Sequence, residues 1–131
     1  MKIYFSGSVR GGASDKETYL QLIQYLAKYG QVLTEHLDNG NLTESDKWNY
    51  NRCMSWIKES DVVIAEVSTP SLGVGYEISK AESMNKKILC LYQNQQNKRL
   101  SAMIAGNSKI KTVKYKSLED AINHIDNFFV H

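Results

Sequence analysis

The stretch Ser71–Glu77 constrains the fold more than any other part of the chain. It reads Ser-Leu-Gly-Val-Gly-Tyr-Glu, comes shortly after an apolar run, Asp61–Val67, and opens a helical pattern that extends to about Asn85. Such a run is typical of a central strand in a parallel sheet, which is buried on both faces. Glycines let a ligand approach the backbone, and the free N–H groups at a helix start attract anions. The unit therefore predicts a site for a phosphorylated small molecule, with the acid Glu77 beside it.

Strand and helix patterns alternate along the whole chain. Strands are predicted at residues 2–6, 31–34, 61–67, 87–92 and 109–116. A capping box at Ser14–Glu17 predicts the start of the first helix, a polar loop is predicted at Glu35–Leu42, and the second helix is predicted from about Thr43 to Glu59. This order predicts a single domain, residues 1–131, with the five-stranded parallel sheet of a Rossmann-like (flavodoxin-like) α/β fold and helices on both faces. The dense lysines of the last strand are typical of a sheet edge.

Composition and charge bear on the binding partners and the cellular location that we expect for this protein. The net charge of +2 on 131 residues is too small to indicate nucleic acid or a membrane surface as a partner, and no apolar run is long enough to span a membrane. The N-terminus lacks the apolar region of a signal peptide. We therefore expect a cytoplasmic protein, with the nucleus as the alternative for a eukaryotic source. Cys53 and Cys90 fall inside predicted elements, which favours reduced thiols. The histidines show no metal-ligand spacing, and neither a metal nor a cofactor is expected.

The predicted topology brings two glycine-containing loops together. Ligands of open parallel sheets bind beyond the carboxyl ends of the strands, near the switch in strand order. That rule places Gly7–Gly12, after the first strand, beside Ser68–Glu77, after the third. Ser8, Arg10 and Ser71 are then the candidate phosphate ligands, since arginine binds phosphate in a bidentate manner. The candidate backbone contacts to the phosphate are Gly7, Gly11 and Gly73.

Glu77 has two interpretations. An acid near a helix start is favourable there for electrostatic reasons alone. At the predicted ligand edge, however, a carboxylate can attack the anomeric carbon of a sugar and form a covalent intermediate that water later opens. Tyr4, inside the first strand, is either a core aromatic or a hydrogen-bond donor that orients Glu77. His36 follows the second strand and is assigned no role.

Five segments of the chain resemble the 2'-deoxynucleoside 5'-phosphate N-hydrolases (the Rcl type) of the nucleoside 2-deoxyribosyltransferase superfamily. They keep their order over nearly the whole chain and are Tyr4–Gly12, Val32–His36, Asp61–Val67, Pro70–Glu77 and Leu100–Ile104. The resemblance implies hydrolysis of a 2'-deoxynucleoside 5'-monophosphate to the free base and 2-deoxyribose 5-phosphate.

The resemblance also implies roles for individual residues. Glu77 matches the family's nucleophile, and Tyr4 matches the tyrosine that supports it. Ser8, Arg10 and Ser71 match phosphate-binding positions. Buried donors of this kind select the monophosphate over the free nucleoside, because they are left unpaired without it.

A homodimer with shared active sites is a further implication of the resemblance. Ser101 matches a serine that the neighbouring subunit contributes to the phosphate site, and Met103 lies beside it. The transferases of the superfamily use a residue near the partner's C-terminus, and none is matched here. Base exchange between deoxynucleosides is therefore the less favoured alternative.

One position departs from the family's pattern. Cys53 stands where the family has an aspartate that assists departure of the base. A thiol has an ordinary pKa of about 8.5 and carries no charge when neutral, and Cys53 also fits a small core residue. General acid–base catalysis contributes about 10²–10⁴-fold to rate. Three explanations stay open: Asp46 or Glu44 replaces the acid, the leaving base needs less protonic help, or the protein binds nucleotides without turning them over.

Overall fold

The computed structural model describes residues 1–9, 12–38, 44–93 and 99–130. The strands within these residues are β1 (Lys2–Gly7), β2 (Gln31–Leu33), β3 (Val62–Glu66), β4 (Lys87–Gln93) and β5 (Lys111–Tyr115). The helices are α1 (Ala13–Leu26), α2 (Asp46–Glu59), α3 (Leu72–Ser83), α4 (Ala102–Ala105) and α5 (Leu118–Val130), and a 3-10 turn spans Glu35–Leu37. All the strand pairs are parallel, in the order β2-β1-β3-β4-β5. The predicted Rossmann-like sheet is confirmed.

The core lies on both faces of this sheet, because alternate residues of a strand point to opposite sides. Ile3 and Phe5 of β1 belong to a buried cluster shared with α1 and α5. Tyr4, between them, belongs to a second cluster with Cys53 of α2 and Ile78 of α3. Both cysteines of the chain are buried and form no disulfide, as expected.

The switch in strand order lies between β1 and β3. The two strands are neighbours, and Gly7 at the end of β1 pairs with Glu66 at the end of β3. The chain therefore leaves the sheet at two adjacent points on its carboxyl edge, as predicted. At one side of the sheet β5 forms an edge, where Lys111 and Lys114 are exposed.

Two helix starts differ in detail from the sequence prediction. α1 begins at Ala13 with Gly12 in an extended conformation as its N-cap, and no side chain caps it. Ser14 lies inside the helix, where its carbonyl accepts a hydrogen bond from Thr18 at 3.1 Å, so the predicted capping box is wrong. α2 begins at Asp46 because the Ser45 hydroxyl accepts from the Trp48 N–H at 3.1 Å. The predicted start at Thr43 lies outside the described residues.

The approach of Gly30 to the first residue of the chain gives a test of the β1–β2 pairing. A Cβ at Gly30 would lie 2.3 Å from the Met1 carbonyl oxygen, which accepts a hydrogen bond from the Gln31 N–H at 3.0 Å. Because both groups are backbone, Gly30→Ala must displace this pairing, and we expect it to lower the free energy of unfolding by about 1–3 kcal/mol.

Gly75→Ala is the matched control for this measurement by urea denaturation. A Cβ at Gly75, inside α3, would meet nothing within 4 Å. Replacing glycine by alanine in a helix interior stabilises by about 0.8–1 kcal/mol. Equal effects of the two substitutions would contradict the close approach at Gly30.

Candidate active site

The Glu77 carboxylate is held between α3 and β1 by two hydroxyl groups. The Tyr4 hydroxyl donates to Oε2 at 2.6 Å, and the Ser6 hydroxyl donates to Oε1 at 2.7 Å. The two donors are two residues apart in β1, so their side chains leave the same face of the sheet. The carboxylate is therefore fixed at the carboxyl edge of the central strand pair.

Burial dominates the protonation equilibria of this pair. It raises the pKa of Glu77, while the hydrogen bonds from Tyr4 and Ser6 act in the opposite direction because they favour the charged form. Burial also raises the pKa of Tyr4, and the nearby Glu77 charge raises it further. Tyr4 therefore keeps its proton at neutral pH and acts as the donor of the pair.

Cys53 of α2 is the third member of this cluster. Its side chain is buried in the same cluster as Tyr4. Burial raises the pKa of the Cys53 thiol to about 11, and the charges of Glu77 and Glu35 add to this effect. At neutral pH the thiol is thus uncharged, and it does not provide the carboxylate that the sequence resemblance implies at this position.

The structure describes part of the predicted phosphate site. Ser71 is the N-cap of α3, and its hydroxyl accepts from the Val74 N–H at 3.3 Å. Ser8, at the end of β1, is buried. Arg10 and Gly11 lie outside the described residues, so their predicted part in phosphate binding stays a prediction.

Two glycines of the predicted site, Gly7 and Gly73, have different surroundings. A Cβ at Gly7 would lie 3.0 Å from the ring of Tyr19, so this glycine makes room for an aromatic side chain of α1. A Cβ at Gly73 would meet only the Ser71 hydroxyl, at 3.9 Å. Packing among the described residues accounts for Gly7 and leaves space open above Gly73.

Ser101 and Met103 lie on the opposite flank of α3 from Glu77. Ser101 is the N-cap of α4, and its hydroxyl accepts from the Met103 N–H at 3.2 Å. Both line a cavity of about 670 Å³ together with Ser71 and Leu72, whereas Glu77 does not line it. Met103 is 83% exposed and Leu72 is 97% exposed, so this cavity has an uncovered apolar rim.

Sequence reasoning missed two polar groups near the ends of β1 and β3. Ser6 is the second donor to Glu77, and its spacing of two from Tyr4 in a predicted strand was the available signal. Glu66 is a buried carboxylate that accepts from the Ser68 N–H at 2.7 Å, from the Ser68 hydroxyl at 2.8 Å and from the Tyr115 hydroxyl. These bonds fix the start of the loop that leads to Ser71.

The described residues form neither a metal-binding cluster nor a helix that could span a membrane. Among residues 1–9, 12–38, 44–93 and 99–130, no group of three or more His, Cys, Asp or Glu side chains is placed to hold a metal ion. In the same ranges no helix combines the length and apolar character needed to cross a bilayer.

Comparison with known proteins decides the family. A family model described as "Nucleoside 2-deoxyribosyltransferase" matches residues 3–123. The chain belongs to this family. Among its curated relatives, a protein named 5-hydroxymethyl-dUMP N-hydrolase from Esox lucius is 50% identical over 114 residues, which cover 81% of this chain and 79% of the relative. A protein of the same name from Danio rerio is 48% identical over 114 residues, covering 82% and 80%.

Solved structures agree on the fold of this nucleoside 2-deoxyribosyltransferase family member. A CMP N-glycosidase from Clostridium botulinum superposes with a TM-score of 0.72 at 24% identity, covering 96% of this chain and 99% of that one. A 2-deoxyribosyltransferase from Bacillus psychrosaccharolyticus superposes with a TM-score of 0.70 at 14% identity, covering 94% and 91%. At these identities the likeness bears on the fold.

The burial of Glu77 predicts a pH-dependent cost to stability. The pKa of Glu77 is higher in the folded state than in the unfolded state. The favourable contribution of Glu77 to the free energy of unfolding is therefore complete below the unfolded pKa of about 4.3, and it is lost as the pH rises through the folded pKa. Glu77→Gln removes the charge and keeps the shape. We expect a higher melting temperature than wild type at pH 8, and a smaller difference at pH 4.

Thermal unfolding at the two pH values checks this expectation, with Glu17→Gln as the control. Glu17 is an exposed carboxylate of α1, and its substitution should stay within about 0.5 kcal/mol of wild type at both pH values. If Glu77→Gln changes the melting temperature by the same amount at pH 4 and at pH 8, the charge of Glu77 does not lower the stability of the folded state.

Proposed function

We propose that this protein hydrolyses the N-glycosidic bond of 2'-deoxynucleoside 5'-monophosphates through a covalent intermediate on Glu77. The observation that carries the proposal is the Glu77 carboxylate, fixed by Tyr4 and Ser6 at 2.6 and 2.7 Å at the carboxyl edge of the sheet. Relatives up to 50% identical are named as hydrolases of one such nucleotide, 5-hydroxymethyl-dUMP, which supports the substrate class.

The reaction has two steps. In the first, a Glu77 oxygen attacks C1' while the C1'–N bond breaks, and its electron pair leaves with the base, which takes up a proton. In the second, water attacks C1', loses a proton and displaces Glu77, giving 2-deoxyribose 5-phosphate. The hydrogen bonds from Tyr4 and Ser6 hold the carboxylate in one orientation, which is the requirement for attack at a defined carbon.

Recognition of the 5'-phosphate is assigned to the two loops at the carboxyl edge. Ser71 lies at the start of α3, where the helix dipole favours an anion, and Ser8 is buried beside the end of β1. The open space above Gly73 lets a phosphate approach this helix start. Arg10 completes the proposed phosphate site by a bidentate contact.

A homodimer completes the site in this proposal. Leu72 and Met103 are 97% and 83% exposed and line the same cavity as Ser71 and Ser101. A second copy that covers this apolar rim would remove the two side chains from water and bring its Ser101 hydroxyl to the phosphate. The uncovered rim is what supports the dimer.

A second candidate function is nucleotide binding without turnover. The observation in its favour is Cys53, whose thiol has a pKa of about 11 and stands against Glu77 without a charge. In this alternative the nucleotide is bound at the same loops, and the departing base lacks an efficient proton donor.

Release of free base from the four common deoxynucleoside monophosphates and from 5-hydroxymethyl-dUMP tests the two candidates. We expect wild type to release base from at least one of them and Glu77→Ala to lower kcat by at least about 10³-fold, because the nucleophile is lost. Mass spectrometry of quenched wild-type reactions should show a 2-deoxyribosyl phosphate adduct on Glu77.

The control for folding is binding of 2-deoxyribose 5-phosphate, which Glu77→Ala should retain. If wild type binds the nucleotides but releases no base, while Cys53→Asp does release it, the non-hydrolysing candidate is correct. Unchanged turnover in Glu77→Ala would contradict the assigned nucleophile.

Substitution of the apolar rim tests the dimer. We expect Leu72→Asp and Met103→Asp to give a monomer in sedimentation experiments and to lower kcat/KM by about 10–100-fold, since a hydrogen bond to a charged phosphate is lost. Val130→Asp is the control, because Val130 is also an exposed apolar residue, 73% exposed, on α5. A wild-type monomer with full activity would contradict the shared site.

A further inference from the structure

The proposed phosphate site depends on the loop that joins β3 to α3. This loop, residues 67–71 and here called the β3–α3 loop, ends at Ser71, whose hydroxyl caps α3 by accepting from the Val74 N–H. A hydroxyl that accepts one hydrogen bond still has its hydrogen to donate, so Ser71 can cap the helix and donate to a phosphate oxygen together. The following inference rests on the proposed function and concerns the group that holds this loop in place.

Glu66 lies directly before the β3–α3 loop, at the carboxyl end of β3. It pairs with Gly7 of β1 on one side and with Leu91 of β4 on the other, and it is only 2% exposed. A buried carboxylate is costly unless hydrogen bonds satisfy it. Those of Glu66 come from Ser68, two residues further along the chain, and from Tyr115 at the end of β5.

Ser68 is the loop residue that Glu66 holds. Its N–H donates to Oε1 of Glu66 at 2.7 Å, and its hydroxyl donates to Oε2 at 2.8 Å. The same hydroxyl accepts from the N–H of Gln93, at the end of β4, at 2.8 Å. Backbone and side chain of one residue are thus both fixed to the sheet, so the direction in which the chain leaves the sheet depends on the Glu66 carboxylate.

The restraint continues on both sides of Ser68. The Val67 N–H donates to the carbonyl oxygen of Leu91 at 2.8 Å, which extends the β3–β4 pairing by one residue. The Thr69 hydroxyl donates to Asp15 of α1 at 2.7 Å. The ring of Pro70 fixes its own φ. The chain therefore reaches the start of α3 with little freedom left to lose when a ligand binds.

Glu66 acts on a ligand only through this loop. Ser68, Thr69 and Ser71 line the cavity beside α3, whereas Glu66 is buried and does not line it. The Glu77 carboxylate is held by a separate pair of hydrogen bonds, from Tyr4 and Ser6. A change at Glu66 should therefore alter phosphate binding and leave the orientation of the nucleophile as it is.

We propose that Glu66 is a positioning residue for the 5'-phosphate of the substrate. Its carboxylate holds Ser68, and through Ser68 the β3–α3 loop, in the shape that receives the phosphate at the start of α3. Without these bonds the loop would have to be ordered again each time a ligand binds. Ordering the backbone of one residue costs about a factor of ten in a binding constant. The affinity for the monophosphate therefore depends on a residue that the ligand does not touch.

Two substitutions that each remove one hydroxyl from the same carboxylate oxygen test this role. Ser68→Ala removes the donor in the β3–α3 loop, and the matched control Tyr115→Phe removes the donor on β5. Both leave a buried carboxylate with one donor fewer, so both should lower the melting temperature. We expect Ser68→Ala to raise the Kd for 2-deoxyribose 5-phosphate and the KM for the nucleotide by about tenfold, with kcat within about twofold of wild type. Tyr115→Phe should leave all three constants within about twofold of wild type.

Substitution of Glu66 itself separates hydrogen bonding from charge and packing. Glu66→Gln keeps an oxygen that accepts from the Ser68 N–H, and its amide can donate to the hydroxyls of Ser68 and Tyr115. Glu66→Leu fills a similar volume and makes none of these bonds. We expect Glu66→Leu to raise the Kd for 2-deoxyribose 5-phosphate by at least about tenfold, and Glu66→Gln to keep it within about threefold of wild type. Thermal unfolding checks that each variant is folded at the temperature of the measurement.

The deoxynucleoside without a phosphate gives a readout that a general loss of stability would not move selectively. Its Kd should be the same for wild type and Ser68→Ala, so that only the phosphorylated ligand loses affinity. Equal rises in the Kd for 2-deoxyribose 5-phosphate in Ser68→Ala and Tyr115→Phe, or in Glu66→Gln and Glu66→Leu, overturn the role of Glu66 and leave the proposed function in place. Wild type that binds these ligands and releases no base overturns the proposed hydrolysis, while the Kd values still decide the role of Glu66. Wild type that does not bind 2-deoxyribose 5-phosphate overturns the role of Glu66.

Discussion

The burial of the Glu77 carboxylate against β1 is the interaction on which the rest of the site depends. Moving a charged carboxylate out of water is costly unless hydrogen bonds satisfy it. Here Tyr4 and Ser6 donate to its two oxygens, so the charge is tolerated in one orientation. The same bonds join α3 to β1, a strand in the interior of the sheet. The arrangement that fixes the carboxylate therefore also determines how the helix sits on the sheet.

A second buried carboxylate organises the loop in front of α3. Glu66 accepts hydrogen bonds from Ser68 and Tyr115, and the Ser68 hydroxyl accepts from the Gln93 N–H at 2.8 Å. Thr69, next in the chain, donates to Asp15 of α1 at 2.7 Å. The start of the loop is thus bonded to β4, β5 and α1. A loop attached on three sides loses little conformational entropy when a ligand binds to it.

Much of the fold could be predicted from the sequence, because strand patterns alternate with helical patterns and the strands β1, β3 and β4 are mostly apolar. The position of Glu77 near the sheet edge followed from the same pattern. Ser6 was missed although it ends the predicted strand, because the sequence does not show which face of that strand meets Glu77. The capping box at Ser14 was wrong because α1 already begins at Ala13, which makes Gly12 the N-cap and puts Ser14 inside the first turn. Glu35 was placed in a polar loop, whereas the structure has it as the first residue of a 3-10 turn that Thr34 caps.

The lysines of β5 have a consequence for assembly. Among the described strands β5 forms one edge of the sheet, and Lys111 and Lys114 project from it. Charged side chains on an edge make continuation of the sheet into another molecule unfavourable, since like charges would be brought together. The opposite edge, β2, offers only three residues, Gln31–Leu33. A contact between copies of this chain through their helices would leave the backbone hydrogen bonding of each sheet undisturbed.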